Sequence, residues 1–163
     1  MNKEFKSPYP LATLEENTGF LFWQLHSLWS KEHKKVLENR FHLTHTQFAV
    51  MSSLYWLRLH GSNEVSQSQL ALHTKIEPMT VSQSIKILEK KGYIKRVGST
   101  IDARANSVLL TETGTKFIAE VVPIIEQFNL KFFAVLKSRL SHFNNDLLKI
   151  IQVHTFFGDY VVG

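Results

Sequence analysis

Hydrogen-bonding and basic side chains cluster in the segment PMTVSQSIKILEK, between positions 78 and 90. This segment predicts a helix, because Pro78 fits a first turn, where its missing N–H donor costs nothing, and Gly92 follows as a stop signal. At about 100° per residue, one side of that helix is apolar: Val81, Ile85 and Leu88. The opposite side carries an outward row of four residues: Met79, Gln83, Lys86 and Lys90.

The outward row has the chemistry for reading nucleic-acid bases. The amide of Gln83 can pair with N6 and N7 of adenine, and the hydroxyls of Thr80 and Ser82 can reach phosphates or base edges. The ammonium groups of Lys86 and Lys90 suit phosphates. A solvated face is the commoner meaning of such a row, but a solvated face usually mixes acids with bases, and this row holds no acid. We predict that this helix reads the major groove of DNA.

A shorter helix is predicted just before the outward row. Ser66 is an N-cap residue and Gln69 stands at the third helical position, which together form a capping box for a helix from about Gln67 to Thr74. The two helices and the turn between them form a helix-turn-helix. We expect Ser66 and Gln67 to add contacts to DNA.

After Gly92, the sequence predicts a hairpin with strands at Tyr93 to Val97 and Asn106 to Leu110, joined by a turn from Gly98 to Ala105. Strands this short are stable only when they pack on helices, so the tip is left in solvent. Three cations are then available for the DNA backbone or the minor groove: Lys95, Arg96 and Arg104.

Arg104 is the leading candidate for the minor groove. Asp102 would repel phosphate if it pointed outward, so we expect it to orient an arginine through a charge-assisted pair. The alternative for Asp102 is an ordinary place in a polar turn, where aspartate is favoured.

Four more helices complete the predicted chain. The first runs from Leu14 to about Asn39 behind an extended arm set by two prolines, and its wide apolar face suits either the core or a subunit interface. The second is capped by Thr44 and Gln47 and runs to about Leu59. Thr111 caps the next helix, which is expected to reach about Arg139 with a kink at Pro123.

Ser141 is expected to cap the final helix, with Phe156 and Phe157 near its end. Together with Trp23 and Trp29, these aromatics are more apolar surface than one small lobe can bury. A partner subunit is the economical explanation.

Three segments resemble the MarR family of bacterial transcriptional regulators. They are Leu88-Glu-Lys-Lys-Gly-Tyr-Ile94, Asp102-Ala-Arg104 and Leu110-Thr-Glu-Thr-Gly114. The resemblance implies a mainly α fold with a small β-hairpin wing, and a homodimer whose terminal helices pack together. One departure is Gln83, because many members carry arginine there, so the contacts of relatives cannot be transferred to this position.

The resemblance also implies a domain organisation. Residues 1–13 form an extended N-terminal arm, and residues 14–163 form a single MarR-like domain. Within it, residues 14–42 and 115–163 are dimerisation helices, and residues 43–114 are the winged helix-turn-helix lobe. The function implied is a homodimeric regulator that binds a pseudo-palindromic site in double-stranded DNA, as a repressor released by a small effector.

A small aromatic or anionic effector is expected in a cleft between the first two helices, whose aromatic walls and histidine suit a carboxylate. The candidate residues are Trp23, His26, Phe48, Met51 and Tyr55. The alternative is that all five are ordinary core or dimer residues.

Two other functions stay open from the sequence. His26, His33, His42 and His45 could supply nitrogen ligands to a regulatory metal, although their spacing is a weak signal. A winged helix can also serve protein contacts alone.

The sequence excludes several classes of protein. It lacks the Gly-x-Ser-x-Gly, His-Glu-x-x-His and glycine-rich phosphate motifs, so we expect no enzyme and no cofactor. Without cysteine there is no disulfide and no thiol switch. The chain of 163 residues has 44% apolar residues and a net charge of +5. It shows no signal peptide and no membrane span, which suggests the cytoplasm.

Overall fold

The computed structural model describes residues 10, 13–62, 64–98 and 106–156. The chain divides into two compact units, Met1–Pro123 and Ile124–Gly163. The elements follow in chain order after a 3-10 turn at Leu14–Glu16: α1 (Thr18–Phe41), α2 (His45–Leu59), α3 (Gln67–Thr74), α4 (Pro78–Lys90), β1 (Ile94–Gly98), β2 (Asn106–Leu110), α5 (Glu112–Phe132) and α6 (Leu140–Phe156). None of the helices within the described ranges is both long and apolar enough to cross a membrane.

Local hydrogen bonds fix where α2 and α3 begin. Both predicted capping boxes are present: the hydroxyl of Thr44 accepts from the N–H of Gln47, and that of Ser66 accepts from the N–H of Gln69, with each glutamine side chain bonding back. Each box satisfies two N–H groups that a helix start leaves without partners. The predicted starts of both helices are confirmed.

The hairpin is antiparallel, with Ile94 opposite Leu110 and Gly98 opposite Asn106. The sequence predicted two strands, but the stretch before α3 joins them. The N–H of Val108 donates to the carbonyl of Val65 at 2.8 Å, and Ser66 bridges to Ser107. The middle of β2 is therefore attached to the start of the helix-turn-helix.

One apolar core holds the first unit together. It combines side chains from α1, the turn after it, α2, α3, α4, the hairpin and α5, and burying each large aliphatic side chain contributes about 1.5–3 kcal/mol. The fully buried members include Leu37, Leu43, Val50, Met51, Leu70, Val81, Ile85, Leu88, Val108, Ile118 and Val121.

The predicted end of α5 was wrong. Thr111 caps this helix as expected, because its hydroxyl accepts from the N–H of Gly114 at 2.9 Å. The helix ends at Phe132 rather than Arg139. A 3-10 stretch at Ala134–Arg139 follows, in which Lys137 has a non-helical backbone (φ 47°, ψ −127°). As a result α6 begins at Leu140, and Ser141 lies inside it instead of capping it.

Candidate nucleic-acid interface

Helix α4 presents the outward row to solvent. Its inner side is anchored in the core by Val81, Ser84, Ile85 and Leu88, all of them buried. The exposed side chains are Met79, Thr80, Gln83, Lys86, Ile87 and Lys90. Ser82 is half-buried at the edge of this face. The predicted two-sided character of the helix is confirmed.

One acid at the start of α4 was not among the predicted contacts. Glu77 is the N-cap residue, its side chain makes no capping bond, and it is exposed. A carboxylate at the entry of a groove-reading helix can accept a hydrogen bond from N4 of cytosine. The position of Glu77 directly before Pro78, at the predicted start of the helix, was the sequence signal that could have identified it as a contact.

Ser66 and Gln67 lie at the start of α3 and are half-buried. The hydroxyl of Ser66 is already engaged, since it accepts from the N–H of Gln69 at 3.2 Å and lies 3.1 Å from the hydroxyl of Ser68. The first role of Ser66 is therefore to hold the helix start.

The sequence predicted that Arg96 is free in solvent, but the structure places it in an ion pair. Its Nε is 3.4 Å from a carboxylate oxygen of Glu89, and its side chain is only 27% exposed. The pair joins β1 to the last turn of α4 and neutralises the one acid within that helix. Asp102 and Arg104, the predicted wing-tip contacts, lie outside the described residues.

Lys91 positions the C-terminal end of α4. Its ammonium group donates to the carbonyl of His42 at 2.7 Å and lies 3.4 Å from the side-chain oxygen of Gln47. The exit of α4 is thereby attached to the turn between α1 and α2. A charged donor on a carbonyl makes a strong hydrogen bond.

The segment Leu110 to Gly114 holds the hairpin against the following helix. The hydroxyl of Thr111 donates to the carbonyl of Gly92 at 2.7 Å, and its N–H donates to the carbonyl of Tyr93 at 3.0 Å. Gly114 packs so close to Tyr93 that a Cβ at this position would collide with the Tyr93 carbonyl. The ring of Tyr93 stacks on Phe117 with a centroid distance of 4.5 Å.

The five predicted effector residues do not line one cavity within the described residues. Met51 is fully buried in the core, whereas Trp23 is 63% exposed and His26 is also exposed. Phe48 packs edge-on against His33. Tyr55 lines a groove of about 820 Å³, but on the side of the hairpin and α5.

Two of the four predicted histidine ligands, His33 and His45, lie in an aromatic stack. The rings of His33 and His45 are parallel within 4° at a centroid distance of 4.4 Å, and Trp29 stacks on His33 at 4.5 Å. Lone pairs lie in the ring planes, so parallel rings do not converge on one ion. The described residues hold no group of three metal-binding side chains.

Burial lowers the pKa of both histidines in this stack. Desolvation, together with the charge of His45, lowers the pKa of His33 to about 4. Desolvation and the nearby His26 and Lys34 lower the pKa of His45, against the opposite effect of Glu38. Both rings are therefore neutral at pH 7.

The helix-turn-helix, the attached hairpin and the exposed face of α4 define a winged-helix transcriptional regulator rather than an enzyme. The family described as "Transcriptional regulator SarA/Rot" matches residues 28–121, and the chain belongs to this family. It is also similar to YdcH of Bacillus subtilis (strain 168), an uncharacterized HTH-type transcriptional regulator. The two are 37% identical over 116 residues, which are 71% of this chain and 78% of YdcH.

Solved structures confirm the resemblance to MarR regulators at the level of the fold. Sco3205 from Streptomyces coelicolor, a MarR family regulator solved in complex with DNA, matches with a TM-score of 0.76 and 17% identity over 91% of each chain. MepR of Staphylococcus aureus, also solved with DNA, matches with a TM-score of 0.72 and 22% identity, over 83% of this chain and 96% of MepR.

Proposed function

We propose that the protein is a homodimer that binds a pseudo-palindromic site in double-stranded DNA and regulates transcription there. The observation that carries this proposal is the exposed face of α4, on which no carboxylate lies between Met79 and Lys90 except the paired Glu89. Two relatives of the same fold were solved with DNA, which supports the same partner here.

Each exposed side chain then has a role in the complex. Gln83 hydrogen-bonds to adenine in the major groove, while Thr80 and Ser82 bond to phosphates or base edges. Lys86 and Lys90 neutralise phosphates, which gives affinity without sequence preference. At the hairpin, Arg104 enters the minor groove and Asp102 orients it. Ser66 and Gln67 are further proposed DNA contacts. Arg96 becomes another one once it is released from Glu89.

A second copy of the chain is the proposed partner of the terminal helices. On α1, Phe22, Trp23 and Leu28 are exposed, and on α6, Leu148 and Ile151 are exposed. Single exposed apolar residues are ordinary, but several on both terminal helices are typical of an interface. A two-fold dimer predicts half-sites about one helical turn apart.

The proposed mode of regulation is repression relieved by a small organic effector. The dimer occupies a promoter, and the effector changes the separation of the two lobes so that both α4 helices no longer fit successive major grooves. The ligand must bind the two arrangements with different affinity. This step is supported by the resemblance to MarR regulators.

Fluorescence anisotropy with duplex from immediately upstream of the gene, beside a scrambled duplex, tests the proposal. We expect preference for the upstream duplex and a steep fall of affinity with salt. Gln83→Ala is expected to reduce discrimination at one base pair per half-site by ~1–3 kcal/mol.

Lys86→Gln provides the matching test of phosphate contacts. It is expected to weaken binding to all duplexes and to flatten the salt slope by about one unit per lost contact. Lys149→Gln, which removes an exposed cation from α6, is the control and is expected to leave the slope unchanged. If Gln83→Ala and Lys86→Gln both bind like the wild type, the assigned face is wrong.

A further inference from the structure

Met79 is an apolar side chain at the start of the outward row of α4. It is 74% exposed, and it lies one turn before Gln83 on the same side of the helix. The buried residues of α4 fill the core from the other side. Exposure alone is ordinary for an apolar side chain. What distinguishes Met79 is its position within the face that is proposed to contact DNA.

The proposed dimer does not account for this exposed methionine. The apolar side chains assigned to the dimer lie on the terminal helices α1 and α6, whereas Met79 is the second residue of α4. A thioether carries no charge and no N–H or O–H donor, so Met79 cannot bind a phosphate as Lys86 and Lys90 can. If α4 lies against DNA, Met79 therefore suits an apolar group of the duplex.

Glu77 indicates that this end of α4 faces the bases rather than the backbone. Its carboxylate is exposed, makes no capping bond, and takes part in none of the ion pairs of the described residues. Phosphates repel a carboxylate, whereas N4 of cytosine donates to one in the major groove. In helix-turn-helix complexes, the N-terminal residues of the recognition helix contact the base edges. Met79, two residues after Glu77, is therefore expected at the bases.

Thymine supplies the apolar group that Met79 requires. Among the major-groove edges of the four bases, only that of thymine presents a methyl group. Methionine adapts to such a partner, because its unbranched side chain has three rotatable bonds and a polarizable sulfur. We propose that Met79 packs on the C5-methyl group of a thymine in each half-site and thereby selects thymine over cytosine at that position. This contact rests on the proposed binding to DNA and adds an apolar determinant of sequence to it.

The spacing of the outward row locates this thymine. Met79 and Gln83 are four residues apart, which is about 6 Å along the helix axis. Successive base pairs are about 3.4 Å apart. The thymine that Met79 contacts is therefore expected within about two base pairs of the adenine that Gln83 contacts.

Replacement of thymine by deoxyuridine tests the contact, because it removes the methyl group and leaves the base pairing intact. Each thymine of one half-site of the preferred duplex is replaced in turn, and affinity is measured by fluorescence anisotropy. For the wild type, one replacement near the Gln83-dependent base pair is expected to weaken binding about fourfold, the loss expected for one buried methyl group. Met79→Ala is expected to bind the thymine and deoxyuridine duplexes equally.

Two other substitutions at position 79 separate apolar contact from size. Met79→Leu keeps an apolar side chain and is expected to retain most of the preference for the methyl group, whereas Met79→Gln is expected to lose it. None of the three variants changes the charge, so their salt slopes are expected to equal that of the wild type. Leu59→Ala, which truncates an exposed apolar side chain at the end of α2, is the control and is expected to keep the full preference. Thermal unfolding checks that each variant is folded.

The outcomes distinguish this contact from the proposed function. The contact is overturned if no deoxyuridine replacement weakens binding of the wild type, or if Met79→Ala depends on the methyl group as strongly as the wild type does. Both results leave the proposed function standing, since the wild type then still prefers the upstream duplex to the scrambled one. A wild type without that preference contradicts the proposed function, and the thymine contact with it.

Discussion

A methyl group at position 114 would meet the backbone of Tyr93, with its Cβ 2.8 Å from the carbonyl carbon and 3.0 Å from Cα. Backbone atoms cannot move aside as the end of a side chain can. We expect Gly114→Ala to lower the free energy of unfolding by about 1–3 kcal/mol, as overpacked substitutions do. Urea unfolding measures this loss.

Gly98→Ala is the matched control for that substitution. Its Cβ would meet nothing within 4 Å, and its φ is not in the left-handed region. We therefore expect an unfolding midpoint close to that of the wild type. Equal midpoints for the two variants would contradict the proposed contact between Gly114 and Tyr93.

His33 makes the stability of the protein depend on pH. The pKa of His33 is about 4 in the folded protein, whereas the ordinary value of 6.5 applies to the unfolded chain. The unfolded chain therefore binds a proton more readily than the folded protein does. The stability that His33 contributes is complete above pH 6.5, is lost as the pH decreases towards 4, and does not change further below that. At about 1.4 kcal/mol per pH unit, the full loss is roughly 3 kcal/mol.

Urea unfolding between pH 7.5 and 4 tests this dependence. His33→Phe keeps an aromatic ring in the stack but removes the titrating group, so its stability is expected to vary less with pH than that of the wild type. His142→Gln removes an exposed histidine from α6 and is expected to follow the wild type. An unchanged pH dependence in His33→Phe would show that His33 does not cause it.

At the scale of the element, the start of α3 depends on one hydroxyl. Ser66→Ala removes the acceptor for the N–H of Gln69 and is expected to cost about 1 kcal/mol of stability. Ser66→Thr keeps the acceptor and is expected to cost less. Ser68→Ala, which caps no helix, is the control, and thermal unfolding is the measurement. A loss in Ser68→Ala equal to that in Ser66→Ala would contradict the capping role.

The accuracy of the sequence-based predictions differs between these elements for a physical reason. The capping boxes at Thr44 and Ser66 involve residues three positions apart, so the sequence contains the whole interaction. The end of α5 depends on packing of Phe132 against Phe133 and of Phe133 against Phe143. Such contacts between elements cannot be read from a helical period.

The candidate site shows the same difference. The exposed row of α4 followed from periodicity, because burial of one side of a helix decides the other. The pairing of Arg96 with Glu89 and the attachment of Val65 to β2 both join separate segments, and no local pattern indicated them. The effector pocket stays a prediction, because the structure gives only the exposure of its residues: Met51 is fully buried and Trp23 is 63% exposed.

At the scale of the whole molecule, the proposed dimer can be tested by measuring the mass of the protein in solution. Phe22→Glu on α1 and Leu148→Glu on α6 place charges on exposed apolar side chains. We expect the wild type to sediment as a dimer and both variants to dissociate, because a buried charge without a partner is costly. Analytical ultracentrifugation measures this.

Leu72→Glu is the control for the dimer test. Leu72 is 65% exposed but lies on α3, which is not one of the terminal helices, so this variant is expected to remain dimeric. A monomeric wild type, or dimers in all variants, would refute the assigned interface. Each variant is compared at the same protein concentration, since association follows mass action.

The attachment of Val65 to Val108 also determines how the hairpin can open. The N–H of Val108 is bonded to the Val65 carbonyl, and the side chain of Val108 is fully buried. Deuterium can replace this amide proton only when the bond breaks, so its exchange requires the strand to separate from the segment that leads into α3. The middle of β2 is therefore expected to exchange together with the lobe, not as an independently moving flap.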